Sequence, residues 1–233
     1  MNFVDASATR LDSKAAGEDR LLSIEIYFDF ICPWCLIGKR NLETAMRRFA
    51  ALRPDVRLNL VWRSRELLPS TPAEGRSYPA FYLDRLGSAE AVATKRAQVQ
   101  RAGYDAGIEF AFDRIEVLPN TAAAHDLVAF SASRSQRAIL IERLFVAYFI
   151  EGENIGDWQT LERLGLECGL ERQGLADHLA QSRRLAGSAA LRSLHVDHRV
   201  SGVPHFVFNG VYALSGAYSA DMMIEAMVLA IPD

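Results

Sequence analysis

No run in this chain approaches the roughly 20 consecutive apolar residues that a membrane-spanning helix needs, so no transmembrane segment is expected. An excess of either charge is missing too: 26 basic residues stand against 29 acidic ones, for a net charge of −3. That balance gives no footprint for a nucleic-acid backbone or an anionic membrane surface. Cysteine is scarce, three in 233 residues, which excludes the disulfide framework of small secreted domains. Met1 to Arg20 is small, polar and charged and lacks the apolar core of a secretory signal, so residues 1–20 are expected to form a flexible N-terminal arm. Sparse cysteine and the missing signal together point to a reducing, cytoplasmic setting. Internal repeats and low-complexity tracts are absent as well. A hydrophobic content of 50% nevertheless suffices for a substantial core.

Two of the three cysteines stand together in Cys32-Pro33-Trp34-Cys35. Ahead of them, Ile24 to Phe30 is a β-branched and aromatic run that reads as a buried strand. Behind them, Leu36, Leu42, Ala45, Met46 and Phe49 recur at helical spacing. The pair therefore sits at a strand-to-helix turn, with Cys32 at the helix N-terminus, where unpaired backbone N–H groups and the positive dipole end favour a thiolate. Pro33 suits the first helical turn, because its fixed φ is already helical and its missing N–H would have had no partner. A loop pair or half of a zinc site is the bland alternative.

Val56 to Trp62 alternates like a half-buried strand, which completes a βαβ unit with parallel pairing. From Glu66 the texture changes: Pro69, Pro72, Gly75 and Pro79 break the chain. Helical patterns follow over Ser88–Ala106, Thr121–Ser133, Ser135–Glu151, Asp157–Gly169, Gln173–Ala186 and Ser188–Arg199, with Gly152, Gly156 and Gly169 as helix stops. Strand patterns return at His205–Phe208 and Val211–Leu214 around Asn209-Gly210, a strong hairpin signal, and Ser219–Ile231 closes as an apolar helix.

Strand, CxxC, helix and strand, then ββα opened by Pro204, resembles the thioredoxin fold, and the helical insertion narrows the likeness to the DsbA-like family. Asp29-Phe30-Ile31-Cys32-Pro33-Trp34-Cys35 with Gly38-Lys39-Arg40, Asn120-Thr121 with Ala124-His125, Leu144 to Phe149, and Gly202-Val203-Pro204 followed by Phe206-Val207-Phe208 are similar to its FrnE-like subgroup. Related families are the 2-hydroxychromene-2-carboxylate isomerases and the kappa-class glutathione transferases. The implied fold is α/β: a thioredoxin-like domain from 21–65 and 187–233, with an inserted helical domain over 66–186. The resemblance implies a cis Pro204 facing the active cysteines, and a Val203 backbone that pairs with a bound peptide or with glutathione, as in strand addition. It also places His125 on a helix end looking toward the CxxC face, where it would bind substrate or assist proton transfer. Asn120 or Thr121 would bind substrate beside it or simply cap the helix.

Disulfide exchange needs an attacking thiolate and a second thiol close enough to release the mixed disulfide. Cys32, nearer the helix end and more exposed, is the expected nucleophile; Cys35, one turn deeper, is the resolving thiol. Trp34 offers one hydrogen-bond donor and no charge, which implies a less oxidising couple than a histidine there would give. Many thioredoxin-fold enzymes bury an acid six residues before the nucleophile, but Ile26 holds that position. Asp29 lies three residues before Cys32, and Glu25 points to the other face of the strand. His205 borders the site or a strand edge, His178 reads as a solvated helix face, and Cys168 as a buried inert thiol. His195 and His198 lack a third metal ligand, so no metal site is expected.

The leading expectation is a thiol–disulfide oxidoreductase without a resident cofactor, acting on a disulfide-containing protein or on glutathione as co-substrate. The alternative is a glutathione-dependent isomerase or transferase for a small aromatic or polyketide-like molecule, with Phe81, Tyr82, Tyr104, Phe110 and Phe112 roofing an apolar pocket. A non-catalytic redox-sensing or zinc-bound module is the third reading. Homodimerisation is left open.

Overall fold

The structure, a computed structural model, describes residues 20–185 and 200–231. Nearly all of the expected arm, the helix expected over Ser188–Arg199 with its two histidines, and the boundary at 186/187 lie outside the described residues.

β1 (Arg20–Phe28) is one of the two inner strands of a four-stranded sheet ordered β2-β1-β5-β6. Leu22, Ile24 and Ile26 alternate inward, as a period of two demands. β2 (Val56–Ser64) pairs with it in parallel from Arg20↔Val56 to Phe28↔Ser64, and α1 (Pro33–Leu52) is the crossover between them. β5 (His205–Phe208) pairs antiparallel to β1 from Ile24↔Phe208 to Tyr27↔His205. The hairpin into β6 (Tyr212–Ser215) turns on Asn209 at φ 48° and Gly210 at φ 71°. Two successive left-handed residues are what a tight primed turn needs and what Asn-Gly supplies. The Asn209 side chain accepts from Ser23 N and donates to Ala230 O, which pins the hairpin to β1 and to the end of α8 (Ala220–Leu229). Val211 belongs to the turn, its amide bonding Phe208 O, so β6 starts one residue later than the sequence pattern implied.

Between β2 and β5 the chain is helical: α2 (Tyr78–Leu86), α3 (Ala89–Asp105), α4 (Ala122–Phe130), α5 (Arg134–Val146) with a π-turn over Ala147–Glu151, α6 (Trp158–Glu167) and α7 (Arg172–Leu185). Ser88, Ser133, Asp157 and Ser219 each cap a helix start with a side-chain oxygen. Gly152 and Gly169 take positive φ, 79° each, after their helices, whereas Gly156 lies in a loop turn held by the Asn154 side chain and ends no helix. Pro79 starts a helix instead of breaking one: Ser77 caps α2, and a proline in the first turn sacrifices no hydrogen bond. A two-residue ladder, β3 (Arg76–Ser77) on β4 (Val117–Leu118), was not legible in the sequence.

Two cores result. One lies between the sheet, α1 and α8, through Leu22, Ile24, Ile26, Leu42, Phe49, Phe206, Met223 and Met227. The other runs from Phe28, Phe30, Ile31 and Leu36 straight into the helical insertion at Leu140, Leu144, Phe145 and Phe149. The cysteine pair sits in this second core, where sheet and insertion meet.

Candidate active site at the start of α1

Cys32 is the N-cap of α1, at φ −96° and ψ 107°, and Pro33 opens the first turn. The local turn is closed by Cys32 N on Asp29 O at 3.2 Å and by Cys35 N on Cys32 O at 3.0 Å. No acidic residue stands in the first turn, so nothing there opposes negative charge at the helix start. Both cysteines are free thiols. Cys32 is 6% exposed and Cys35 3%, the expected order with a smaller margin than a surface nucleophile would show. Burial above all pushes the Cys35 thiol well above its ordinary 9.0. A hydrogen bond with Cys32 and the Cys32 charge add to the rise, and a backbone hydrogen bond with Asp29 works against it.

Opposite the pair, the Val203–Pro204 peptide is cis, and Cys32 Sγ lies 3.6 Å from Val203 O, to which the thiol donates. Gly38 permits this approach of α1 to β5: a Cβ there would meet the Phe206 ring at 3.0 Å and Pro204 Cγ at 3.2 Å. Trp34 is half-buried against the second core.

His125, expected to look toward the CxxC face, is fully enclosed on α4. Its Nε2 lies 3.2 Å from Asp29 Oδ1, and its ring packs at 4.8 Å on Phe30 and 5.1 Å on Phe28. Asp29 is equally buried, with Oδ2 accepting from Leu67 N at 2.6 Å. Asn120, partly exposed, spends its side chain on the backbone. Its amide donates to Thr71 O at 2.7 Å, and its oxygen accepts from Ala122 N at 3.0 Å, while Thr121 makes no cap bond. At the start of α4 the side-chain bond to the backbone is thus made by Asn120.

Three other sequence readings change. His178 is no solvated face: its ring stacks on Phe130 at 4.4 Å, and Nε2 lies 2.9 Å from Asp126 on α4. Cys168 is half-buried at the end of α6, not buried. The expected aromatic roof separates, since Phe110 and Phe112 stack at 5.0 Å inside the insertion core and Tyr104 is 75% exposed. His205 is partly exposed on β5, with Nδ1 2.7 Å from Ser215 Oγ. Among the described residues no group of His, Cys, Asp or Glu has the arrangement of a metal site.

Tyr148, not singled out as a site residue, belongs to the same core as the pair. Its hydroxyl is enclosed with no partner among the described residues, and burial, then the nearby Tyr78, Tyr82 and Asp29, push its pKa well up. Tyr82 is raised likewise, by burial first and the Cys32 charge next. The run Leu144 to Phe149 marked Tyr148 only as part of an apolar helix face.

A model of the DSBA-like thioredoxin domain matches residues 23–228. The uncharacterized protein YwbO of Bacillus subtilis is 26% identical over 205 residues, covering 88% of this chain and 94% of its own. A probable DsbA oxidoreductase of Streptomyces coelicolor superposes with a TM-score of 0.77 at 23% identity, covering 90% of this chain and 89% of that one. A 2-hydroxychromene-2-carboxylate isomerase follows at 0.59 and 19%, over 89% and 95%. The cytosolic disulfide reductase DsbM of Pseudomonas aeruginosa, solved with glutathione, gives 0.54 and 18%, again over 89% and 95%.

Proposed function

The chain belongs to the DSBA-like thioredoxin family, and on that premise we propose that it is a thiol–disulfide oxidoreductase working through Cys32 and Cys35. Cys32 attacks a substrate disulfide and expels one thiolate; Cys35 then attacks Cys32 Sγ and releases the other half. The pair leaves oxidised and the substrate reduced, or the reverse. The observation that carries this reading is the asymmetry of the two thiols. Cys32 caps the helix against Val203 O, while Cys35 lies one turn deeper with its proton held tightly. An attacking thiol at the helix start and a protonated resolving thiol are what a two-step exchange requires.

Val203 and Pro204 form the wall opposite Cys32, and in this proposal their backbone orients the substrate while Pro33 and Trp34 set the reactivity of the pair. Glutathione is the proposed reducing co-substrate, not a resident cofactor, in keeping with the glutathione bound by DsbM. A reducing, cytoplasmic setting fits the sparse cysteines and the cytosolic DsbM. In this proposal the helical insertion closes the site from the far side through Tyr82 and the α5 core. The isomerase neighbour keeps a glutathione-dependent small-molecule reaction as the competing reading. The presence of two cysteines in reach of each other favours disulfide exchange.

The test equilibrates the protein across glutathione redox ratios, alkylates free thiols and weighs the peptide carrying both cysteines. A two-electron transition to an internal disulfide is expected. Stable glutathione attachment at Cys32 with no internal disulfide would overturn the reading in favour of the isomerase.

A further inference from the structure

β2 is the last strand on its side of the sheet and is paired with β1 along one edge only. The ladder runs unbroken from Arg20↔Val56 to Phe28↔Ser64. Over residues 58–64 no backbone hydrogen bond leaves that ladder among the described residues. A long terminal strand with a row of unused N–H and C=O groups is a template for another strand, and proteins commonly blunt such edges with proline, lysine or a bulge. β2 holds no proline and no lysine, and its register carries no bulge. Leu58, Leu60 and Trp62, spaced by two and so on one face of the strand, form with Met46 of α1 the apolar floor of a groove of about 240 Å³. That is below the roughly 300–1,000 Å³ of pockets that enclose a small molecule, and it suits a row of side chains instead. The far bank of the groove is the start of α5, with Arg134 and Arg137. Arg134 is exposed and has no carboxylate partner among the described residues. Arg137 donates to Ser131 Oγ and to Ser131 O, at 3.2 Å each, which leaves its charge unneutralised. No acidic residue lines the groove.

We propose that the outer edge of β2 is a docking site for an extended, acidic polypeptide segment of a partner protein, which adds a strand to the sheet. Main-chain hydrogen bonds to β2 supply the affinity, and alternate apolar side chains of the segment enter the groove over Leu58, Leu60 and Trp62. Carboxylates of the segment answer the two uncompensated guanidiniums on the α5 bank and fix its register. A second copy of this chain fits less well. It would bring the same two arginines to the seam and no carboxylate, and like charges set against each other are destabilising. The surface leads toward the cysteine end of the sheet: β2 ends opposite Phe28, and Arg65 N bonds Phe28 O at 2.9 Å, just ahead of the turn that carries the pair. A docked segment is thereby held beside the site. Its recognition does not depend on which reaction Cys32 and Cys35 perform.

The experiment titrates the full chain into the fluorescein-labelled peptide Glu-Glu-Val-Thr-Val-Thr-Leu-Glu-Glu, read by anisotropy, and follows amide hydrogen exchange of β2 by mass spectrometry. The probe places its apolar side chains on one face and its carboxylates at both ends. Saturable binding that weakens as salt is added is expected, with slower exchange over residues 58–64. A counterpart with lysine at every glutamate position should bind about tenfold or more weakly. A fully N-methylated counterpart, unable to donate to the edge, should not bind. Arg134→Glu stands in the first turn of α5, where an acidic side chain suits the helix dipole, so the fold is kept. It should weaken binding of the acidic peptide by about fivefold or more. Absence of binding up to millimolar peptide overturns the proposal. So does equal binding of the lysine or N-methylated counterpart, or of the Arg134→Glu variant, or protection that appears away from β2. A dimer in sedimentation whose amides over residues 58–64 are protected without peptide also overturns it, since the occupant is then a second copy.

Discussion

A thiol whose proton is held more tightly in the folded state than in the unfolded chain leaves a mark on stability. Cys35 is such a group, raised by burial above an ordinary 9.0. Its contribution is complete while both states are protonated, below about pH 9. It is lost as pH rises through the higher folded-state value, because only the unfolded chain then gains from ionising. The reduced protein should therefore lose more stability above pH 9 than a Cys35→Ser variant, in urea titrations at a series of pH values. Parallel curves would contradict the assignment. The cysteines, Pro33 and Pro204 were legible in the sequence, because each does its work within a turn or a strand end, whereas the role of Gly38 was not, because the ring it makes room for lies on β5. The pairing of Asp29 with His125 was not, because 96 positions separate them and only the docking of α4 brings the ring to the carboxylate. The bond from Ala122 N to Asn120 was legible in kind, as a cap at the start of α4, while the substrate role came only from the family resemblance.

At the scale of the element, α1 carries the site at one end and anchors it at its second turn. Lys39, only 5% exposed, donates to Glu43 at 2.5 Å and to Glu142 of α5 at 2.6 Å, and Arg40 bridges the same two carboxylates. This network ties the helix that presents Cys32 to the helix that lines the insertion core. Lys39→Met keeps the apolar stem and removes the charge, leaving Glu43 and Glu142 with Arg40 alone. A cost of about 2 kcal/mol is expected from urea unfolding, below the value for a fully buried broken pair because both carboxylates are partly solvated. Wild-type stability would mean that the seam contributes nothing. Elements with their own start and stop signals were legible: the Ser88, Asp157 and Ser219 caps and the Asn209-Gly210 turn announce themselves locally. α2 was obscured by its own Pro79. The β3–β4 ladder was invisible because a two-residue strand has no period, and its partner lies some 40 positions away.

At the scale of the molecule, the insertion is continuous with the thioredoxin-like part. Phe145 on α5 is fully buried and packs against Phe28, at the end of β1, and Phe30, just beyond it, at ring distances of 6.0 and 5.0 Å, and against Phe149 at 6.3 Å. One contiguous core thus spans both parts, with the cysteine pair inside it. Parts that share a core lose their packing together, so a cavity opened in the insertion should weaken the sheet as well. Phe145→Ala is expected to cost about 3–5 kcal/mol and to shift a single transition without splitting it. Far-UV circular dichroism follows mainly the helices. In a Trp158→Phe background, fluorescence follows Trp34 on α1 and Trp62 on β2, at the junction. Coincident urea curves from the two probes, both displaced by Phe145→Ala, are the expected result. Loss of helix ahead of the tryptophan signal would show that the insertion unfolds by itself, and that Phe28 and Phe30 are held in place without it.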